Sequence, residues 1–202
     1  TRSTIGTDDV LADDAALAQT SFGQRDVRIT PLQGAMISAA VANGGTLMRP
    51  YLVQKELAPN LSVLKETDPE QLKLAVDSAN DEDLKNMMYG VIEAAEGTGG
   101  PARITDIPGV RVGGKTGTAD TGFCVVGGKQ GPCSDPAFQN GTLAPPHAWF
   151  SGFAVRDGSP KIAVAVIIEN GGVNGDETTG GLAAAPVAKA VMEAYLKSSA
   201  GR

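Results

Sequence analysis

The sequence predicts an α+β fold in which an antiparallel sheet is flanked by helices. Three observations carry that expectation. Val110 to Ala119 has strand periodicity, with Val110 and Val112 on one side and Arg111 on the other. Trp149 to Val155 and Lys161 to Glu169 read as two further strands joined by the turn Asp157-Gly158-Ser159-Pro160, a hairpin that packs naturally beside the Val110 strand. Three longer segments instead carry apolar residues at helical spacing, beginning at Pro31, near Asp81 and near Leu182.

With 202 residues, the chain has the size of one domain or a large part of one. A net charge of −6 and the lack of any basic run argue against a nucleic-acid partner. The longest apolar run, Ile162 to Ile168, is strand-sized and far short of a membrane span. The chain opens on Thr1 rather than methionine, as expected of an excised or processed piece.

Taken in order, residues 1–24 are polar and irregular apart from a short helical stretch at Asp13 to Gln19. Thr30 is the predicted N-cap of the first long helix, Pro31 occupies its first position and Gln33 closes a capping box. Leu32, Ala35, Met36, Ala39 and Ala40 form its expected buried face, and Asn43-Gly44-Gly45 ends it. Pro50 to Leu57 and Ser62 to Thr67 read as short strands joined at Pro59-Asn60. The second helix is expected from Asp81 to about Glu96, capped by Ser78 or Asn80, with Leu84, Met87, Met88, Val91 and Ile92 inward. Gly97-Thr98-Gly99-Gly100-Pro101 stops it. Residues 120–146 are expected to form one long loop. It holds Cys124 and Cys133, nine positions apart, where a local disulfide would indicate an oxidising compartment and two free thiols are the alternative. One histidine and two cysteines do not make a zinc site, and no metal or other cofactor is expected. The last helix should run from Leu182 to Lys197 with Val187, Val191, Ala194 and Tyr195 inward.

The most specific stretch is Val110-Arg111-Val112-Gly113-Gly114-Lys115-Thr116-Gly117-Thr118-Ala119, where two motifs overlap. Gly109 to Thr116 has phosphate-loop spacing, but a phosphate loop must follow a buried strand and open a helix. Here a turn, Thr105-Asp106-Ile107-Pro108, precedes it, and glycine and threonine follow it. On a strand, Lys115 and Gly117 share one face while Thr116 and Thr118 share the other. A cation and two hydroxyls brought to one cleft suit a carboxylate, and Gly117 leaves room for a ligand backbone.

Several stretches then match a known family in its own order: Phe22-Gly23-Gln24, Thr30-Pro31-Leu32-Gln33, Ala42-Asn43-Gly44-Gly45 with Pro50, and Gly97-Thr98-Gly99. Gly114 to Ala119, His147-Ala148-Trp149-Phe150-Ser151-Gly152-Phe153 and Gly180-Gly181 with Ala184-Ala185-Pro186 complete the series. Together they resemble the C-terminal part of a class B penicillin-binding protein transpeptidase domain, over most of residues 20–196. Arg25 departs from it, since the family usually has a further glycine after Gly-Gln.

The resemblance implies a serine β-lactamase/transpeptidase-like fold whose N-terminal half is missing, residues 1–202 being the C-terminal portion of one domain. It implies a peptidoglycan D,D-transpeptidase, which crosslinks stem peptides by serine acyl transfer and is acylated by β-lactams. In that reading Lys115 and Thr118 are catalytic: the lysine supplies positive potential beside the nucleophile, and the Thr118 N–H is an oxyanion donor. Thr116, Gly117 and Thr118 bind substrate, the two hydroxyls holding its carboxylate. The partners implied are the stem peptide, β-lactams, and an upstream half bearing Ser-x-x-Lys and Ser-x-Asn. The site would lie outside the cytoplasmic membrane, reached by an N-terminal anchor missing from this chain. Missing upstream strands would leave the Lys161–Glu169 strand with an exposed apolar edge.

Three features imitate missing parts. Ser62-Val63-Leu64-Lys65 has Ser-x-x-Lys spacing but lies in a strand-like segment, Ser78-Ala79-Asn80 reads as helix capping, and His147 lacks a nucleophile elbow. The rival readings are a β-lactamase or β-lactam sensor of the same fold, and a non-catalytic cell-wall scaffold.

Overall fold

The computed structural model describes residues 2–6, 13–25 and 27–198. Two helices come first, α1 (Asp14–Ser21) and α2 (Pro31–Ala42), then short strands β1 (Thr46–Met48), β2 (Lys55–Leu57), β3 (Val63–Glu66) and β4 (Gln71–Leu74). Helix α3 (Ser78–Glu93) leads to the ten-residue strand β5 (Val110–Ala119). Strands β6 (Phe123–Val126), β7 (Lys129–Pro132), β8 (Thr142–Leu143), β9 (His147–Arg156) and β10 (Ser159–Ile168) follow, and helix α4 (Ala185–Lys197) closes the fold. No described helix is long and apolar enough to cross a membrane. The irregular stretch expected over residues 1–24 falls partly outside the described residues, at residues 1 and 7–12.

The central sheet has the order β10-β9-β5 and is antiparallel throughout. Its hairpin reverses at Asp157 and Gly158, both with positive φ (51° and 78°), the backbone that a two-residue turn between twisted strands requires. Ser159 and Pro160, expected in that turn, already belong to β10. Among the described residues β10 pairs with β9 alone, so its other edge is open, as the sequence led us to expect.

Helix α2 covers the sheet face that carries Ser151 and Phe153, and α4 the face that carries Phe150. Thr30 caps α2 by accepting from the Gln33 N–H at 3.1 Å. The buried side of α2 is Gly34, Ser38 and Val41, with Ala42 and the expected Ala40; of the other residues expected inward, Leu32 and Ala39 are exposed and Ala35 and Met36 half-buried. Size decides this. A Cβ on Gly34 would sit 3.2 Å from the Ala165 Cβ, so only a small residue lets the helix axis come this close to the sheet. Helix α4 shows the same correction: Ala185, Ala188, Met192 and Leu196 are buried, while Val187, Val191 and Ala194 are not among its buried residues and Tyr195 is half-buried. The sheet supplies bulk there through Phe150 and Val164, and Ala185 and Ala188 with the larger Met192 and Leu196 fill the space that remains. Fully burying each of Phe150 and Phe153 is worth about 1.5–3 kcal/mol.

Helix α3 starts three residues earlier than expected and ends at Glu93. Asp77 caps it, accepting from the Asn80 N–H at 3.0 Å, which leaves Ser78 and Asn80 inside the helix. Its buried residues are Asp81, Tyr89 and Ile92, while Leu84 and Met87 are exposed. Tyr89 fixes this rotation by packing edge-on against Phe153, with ring centroids 5.7 Å apart.

Two further regions differ from expectation. Residues 46–74 hold four strands, not two: β1 pairs with β4, and β2 with β3, in an arm whose outer strands are exposed. The stretch 120–146 is not a structureless loop but a three-stranded crown of order β7-β6-β8. Gly127 and Gly128 form its turn with φ of 56° and 77°, and the Cys124–Cys133 disulfide joins β6 to the residue just past β7.

Candidate active site

Strand β5 is the edge of the central sheet, and its two halves have different surroundings. Helix α3 straddles the first half: Tyr89 lies on the α2 side with Phe153, and Ile92 on the α4 side with Val112 and Phe150. Arg111 seals this contact. Its guanidinium lies 3.8 Å from the Tyr89 ring centroid and donates twice to the Glu93 carboxylate, at 2.9 Å each. The Arg111 hydrogen bonds hold the Glu93 carboxyl below its ordinary value, and Glu93 in turn raises Arg111. Burial pushes the Tyr89 hydroxyl up.

The second half carries the candidate residues. Gly109 O accepts from Asp157 N, so odd-numbered residues of β5 turn their peptide groups toward β9 and even-numbered ones turn outward. Thr116 and Thr118 therefore present N–H and C=O on the open edge. The side chains alternate as the sequence implied. Lys115 lies opposite Ser151, on the α2 face, and Thr116 opposite Phe150, on the α4 face. The Lys115 ammonium curls round to the open edge to donate to Thr116 O at 2.7 Å. Gly117 pairs with Trp149, and Thr118 with Ala148.

Thr116 behaves differently. It is only 8% exposed, and its hydroxyl lies 2.6 Å from that of Thr98, in the Gly97-Thr98-Gly99 turn after α3. Glycines pack the backbone tightly behind it. A Cβ on Gly180 would overlap Trp149 O and come within 2.7 Å of Gly117 N and O, and one on Gly181 would overlap Thr98 O. The two glycine motifs thus form the wall on which residues 116–117 rest. The sequence marked Thr98 as part of a helix stop and of a family-matching stretch, without giving it a role in the site; the glycines on either side of it were the available signal.

On the α2 face, Ser151 donates to Gly34 O at 2.8 Å, so the Ser38 hydroxyl at 2.7 Å is the donor to Ser151. This chain of hydroxyls pins α2 to β9 beside Lys115. Gln24 reaches the open edge from the other direction, its Nε2 lying 3.4 Å from Thr118 O. Arg25 has φ of 62°, a left-handed backbone that accounts for the glycine usual in the resembling family.

The imitating features separate from the site. Ser62 lies in the arm, its hydroxyl bonded to Asn60 at 2.7 Å, and Lys65 pairs with Glu56 across that arm. The ring of His147 accepts from the Asn170 N–H at Nδ1, 3.0 Å away, and so anchors the segment after β10 to the start of β9. Beyond Thr116 the chain continues as a strand to Ala119, so no helix N-terminus exists there to hold a phosphate.

Comparison with known proteins agrees with this geometry. The family model described as "Penicillin binding protein transpeptidase domain" matches residues 6–193. Peptidoglycan D,D-transpeptidase PbpA of Mycobacterium tuberculosis H37Rv is 40% identical over 195 residues, 96% of this chain and 34% of the relative. PbpA of Mycolicibacterium smegmatis is 38% identical over 187 residues, 93% of this chain and 33% of the relative. The crystal structure of PBPA from M. tuberculosis superposes with a TM-score of 0.73 at 40% identity, covering 98% of this chain and 40% of that one. This chain thus spans about a third of the length of the curated relatives it matches. The match over residues 6–193, nearly the whole chain, on a sheet whose edge displays Lys115 to Thr118, shows that the chain belongs to the penicillin-binding protein transpeptidase family.

Proposed function

We propose that residues 1–202 are the C-terminal portion of a single transpeptidase domain in a peptidoglycan D,D-transpeptidase, crosslinking stem peptides by serine acyl transfer outside the cytoplasmic membrane. The observation that carries this reading is the open edge of β5, where the Lys115 ammonium meets the outward peptide groups of Thr116 and Thr118. The structure of the M. tuberculosis relative as a penicillin G acyl-enzyme complex, 37% identical with a TM-score of 0.71, supports β-lactams as ligands. The attacking serine and its lysine base belong to an upstream portion of the parent protein.

In this mechanism the serine Oγ attacks the carbonyl of the penultimate D-alanine of a stem peptide and D-alanine leaves, giving an acyl-enzyme. The amine of a second stem peptide then resolves it, which forms the crosslink and restores the serine. Lys115 provides a fixed positive charge beside the serine. The Thr118 N–H, aimed outward, stabilises the developing oxyanion. The Thr118 hydroxyl holds the terminal carboxylate of the donor peptide, and Gly117 lets the peptide backbone lie close. The Thr116 hydroxyl can join that carboxylate as a donor while it accepts from the Thr98 hydroxyl.

Labelling the intact parent with a fluorescent penicillin and mapping the adduct by mass spectrometry tests the reading. A long-lived adduct on a serine upstream of Thr1 is expected. An acylated serine inside the 202 residues would overturn the assignment of the nucleophile, and rapid turnover of the β-lactam would make the parent a β-lactamase instead.

A further inference from the structure

Gln24 reaches from the N-terminal part of the chain to the second half of β5 through its side chain. Its backbone is unusual. Gly23 before it and Arg25 after it both have positive φ, 89° and 62°. For an arginine the left-handed region costs about 1–2 kcal/mol. Such strain persists only where the surroundings impose it, and the inference runs from the observed outlier to a role. Here the double kink turns the chain at the end of α1: the Gln24 N–H donates to Gln19 O at 3.1 Å and the Gly23 N–H to Thr20 O at 3.0 Å. That turn aims the Gln24 amide across 94 residues of sequence at Thr118 O.

Thr118 needs such a partner. It lies on the last rung but one of the β5–β9 ladder, next to the final pair Ala119–His147. Its own peptide groups face away from β9, so no ladder bond fixes them, and the adjoining Gly117 adds backbone freedom. In a strand the N–H and C=O of one residue point to the same side, so holding the Thr118 carbonyl also sets the direction of the Thr118 N–H. The amide does this without charge, leaving the positive potential of this strand segment to Lys115.

We propose that Gln24 is a positioning residue for acyl transfer: by holding the Thr118 carbonyl it keeps the Thr118 N–H aimed at the oxyanion. The role rests on the reading of the site given above. It predicts an effect on the chemical step rather than on ligand capture, because the oxyanion develops only in the transition state. The 3.4 Å contact is long for the resting enzyme and has room to tighten as charge builds.

The test uses the intact parent and stopped-flow acylation by penicillin G, resolved into the dissociation constant of the encounter complex and the acylation rate constant. Gln24→Glu keeps shape but loses the donor, and Gln24→Ala removes both. For each variant the acylation rate constant should fall about tenfold with an unchanged Tm, and for Gln24→Ala, which adds no charge beside the ligand carboxylate, the dissociation constant should stay within about twofold of wild type. Gln24→Glu acylating at the wild-type rate would overturn the proposal. So would a fall in rate matched in both variants by a fall in Tm, which would make Gln24 a folding residue only. A wild-type parent that penicillin does not acylate would sink the reading of the site itself, a separate and recognisable outcome.

Discussion

The hydroxyls of Thr98 and Thr116 meet at 2.6 Å and join the turn after α3 to the strand that carries Lys115. Because Thr116 is nearly buried, removing its partner leaves a polar atom without a hydrogen bond. Thr98→Val should therefore destabilise the domain by about 1–2 kcal/mol. Thr98→Val combined with Thr116→Val should cost clearly less than the sum of the two single changes, because neither hydroxyl is then stranded. Denaturant unfolding of the three variants measures this, and strict additivity would show that the hydroxyls are not coupled.

Lys115→Ala should lower the rate of β-lactam acylation of the parent by roughly 100-fold or more, the usual loss when one preorganised electrostatic group is removed. Acylation within about threefold of wild type would contradict the role given to this ammonium.

The Arg111–Glu93 pair predicts a pH dependence. Glu93 has its carboxyl lowered chiefly by the Arg111 hydrogen bonds, so it binds protons less readily folded than unfolded. Its contribution is full above the ordinary glutamate value of 4.5 and disappears as pH falls through the lowered folded value. Both side chains are more than a third exposed, which keeps the effect small. Wild type and Arg111→Ala should therefore differ in Tm near neutral pH, and part of that difference should vanish in acid below the folded Glu93 value; the stacking of Arg111 on Tyr89 accounts for the remainder. A Tm difference that does not change with pH would exclude the ion pair as a contributor.

Two glycines should respond in opposite directions to alanine. Gly90 lies inside α3 with open space, nothing within 4 Å, where a Cβ would stand, so Gly90→Ala should stabilise by about 0.5–1 kcal/mol. Gly180→Ala would drive its methyl into Trp149 O and the Gly117 backbone and should destabilise by about 3 kcal/mol. Thermal unfolding distinguishes the two directly.

The crown has little apolar interior, Cys124 being its buried residue on β6. Replacing Cys124 and Cys133 together by alanine should cost about 2–3 kcal/mol, the chain-entropy value for so short a loop. Hydrogen exchange should accelerate in β6 and β7 while the β9 amides keep their protection. Equal acceleration in β9 would show that the crown and the central sheet open as one unit.

Strands β5, β9 and β10 were legible because turns bound them, and α2 because Thr30 and Pro31 announce its start. The buried faces of α2 and α4 were not. Both helices offer apolar residues on more than one side, and small residues, Gly34 and Ser38 on one and Ala185 and Ala188 on the other, face the bulk of the sheet beside the larger Val41, Met192 and Leu196. The crown was hidden because its pairing depends on a Gly-Gly turn and a disulfide rather than on alternation. Lys115 to Thr118 could be read as a contiguous motif. Gln24 and Thr98 reach that motif from 94 and 18 positions away, distances at which spacing carries no information.

One strand serves two purposes along its length. Where α3 packs on it, around Arg111 and Val112, a substitution is felt as a change in melting; at Thr116 and Gly117, which Thr98 and the Gly180 backbone support from behind, it is felt in the fold and in the cleft alike. Tolerance of the fold to change along this strand therefore rises only at Thr118, whose side chain is exposed at its far end.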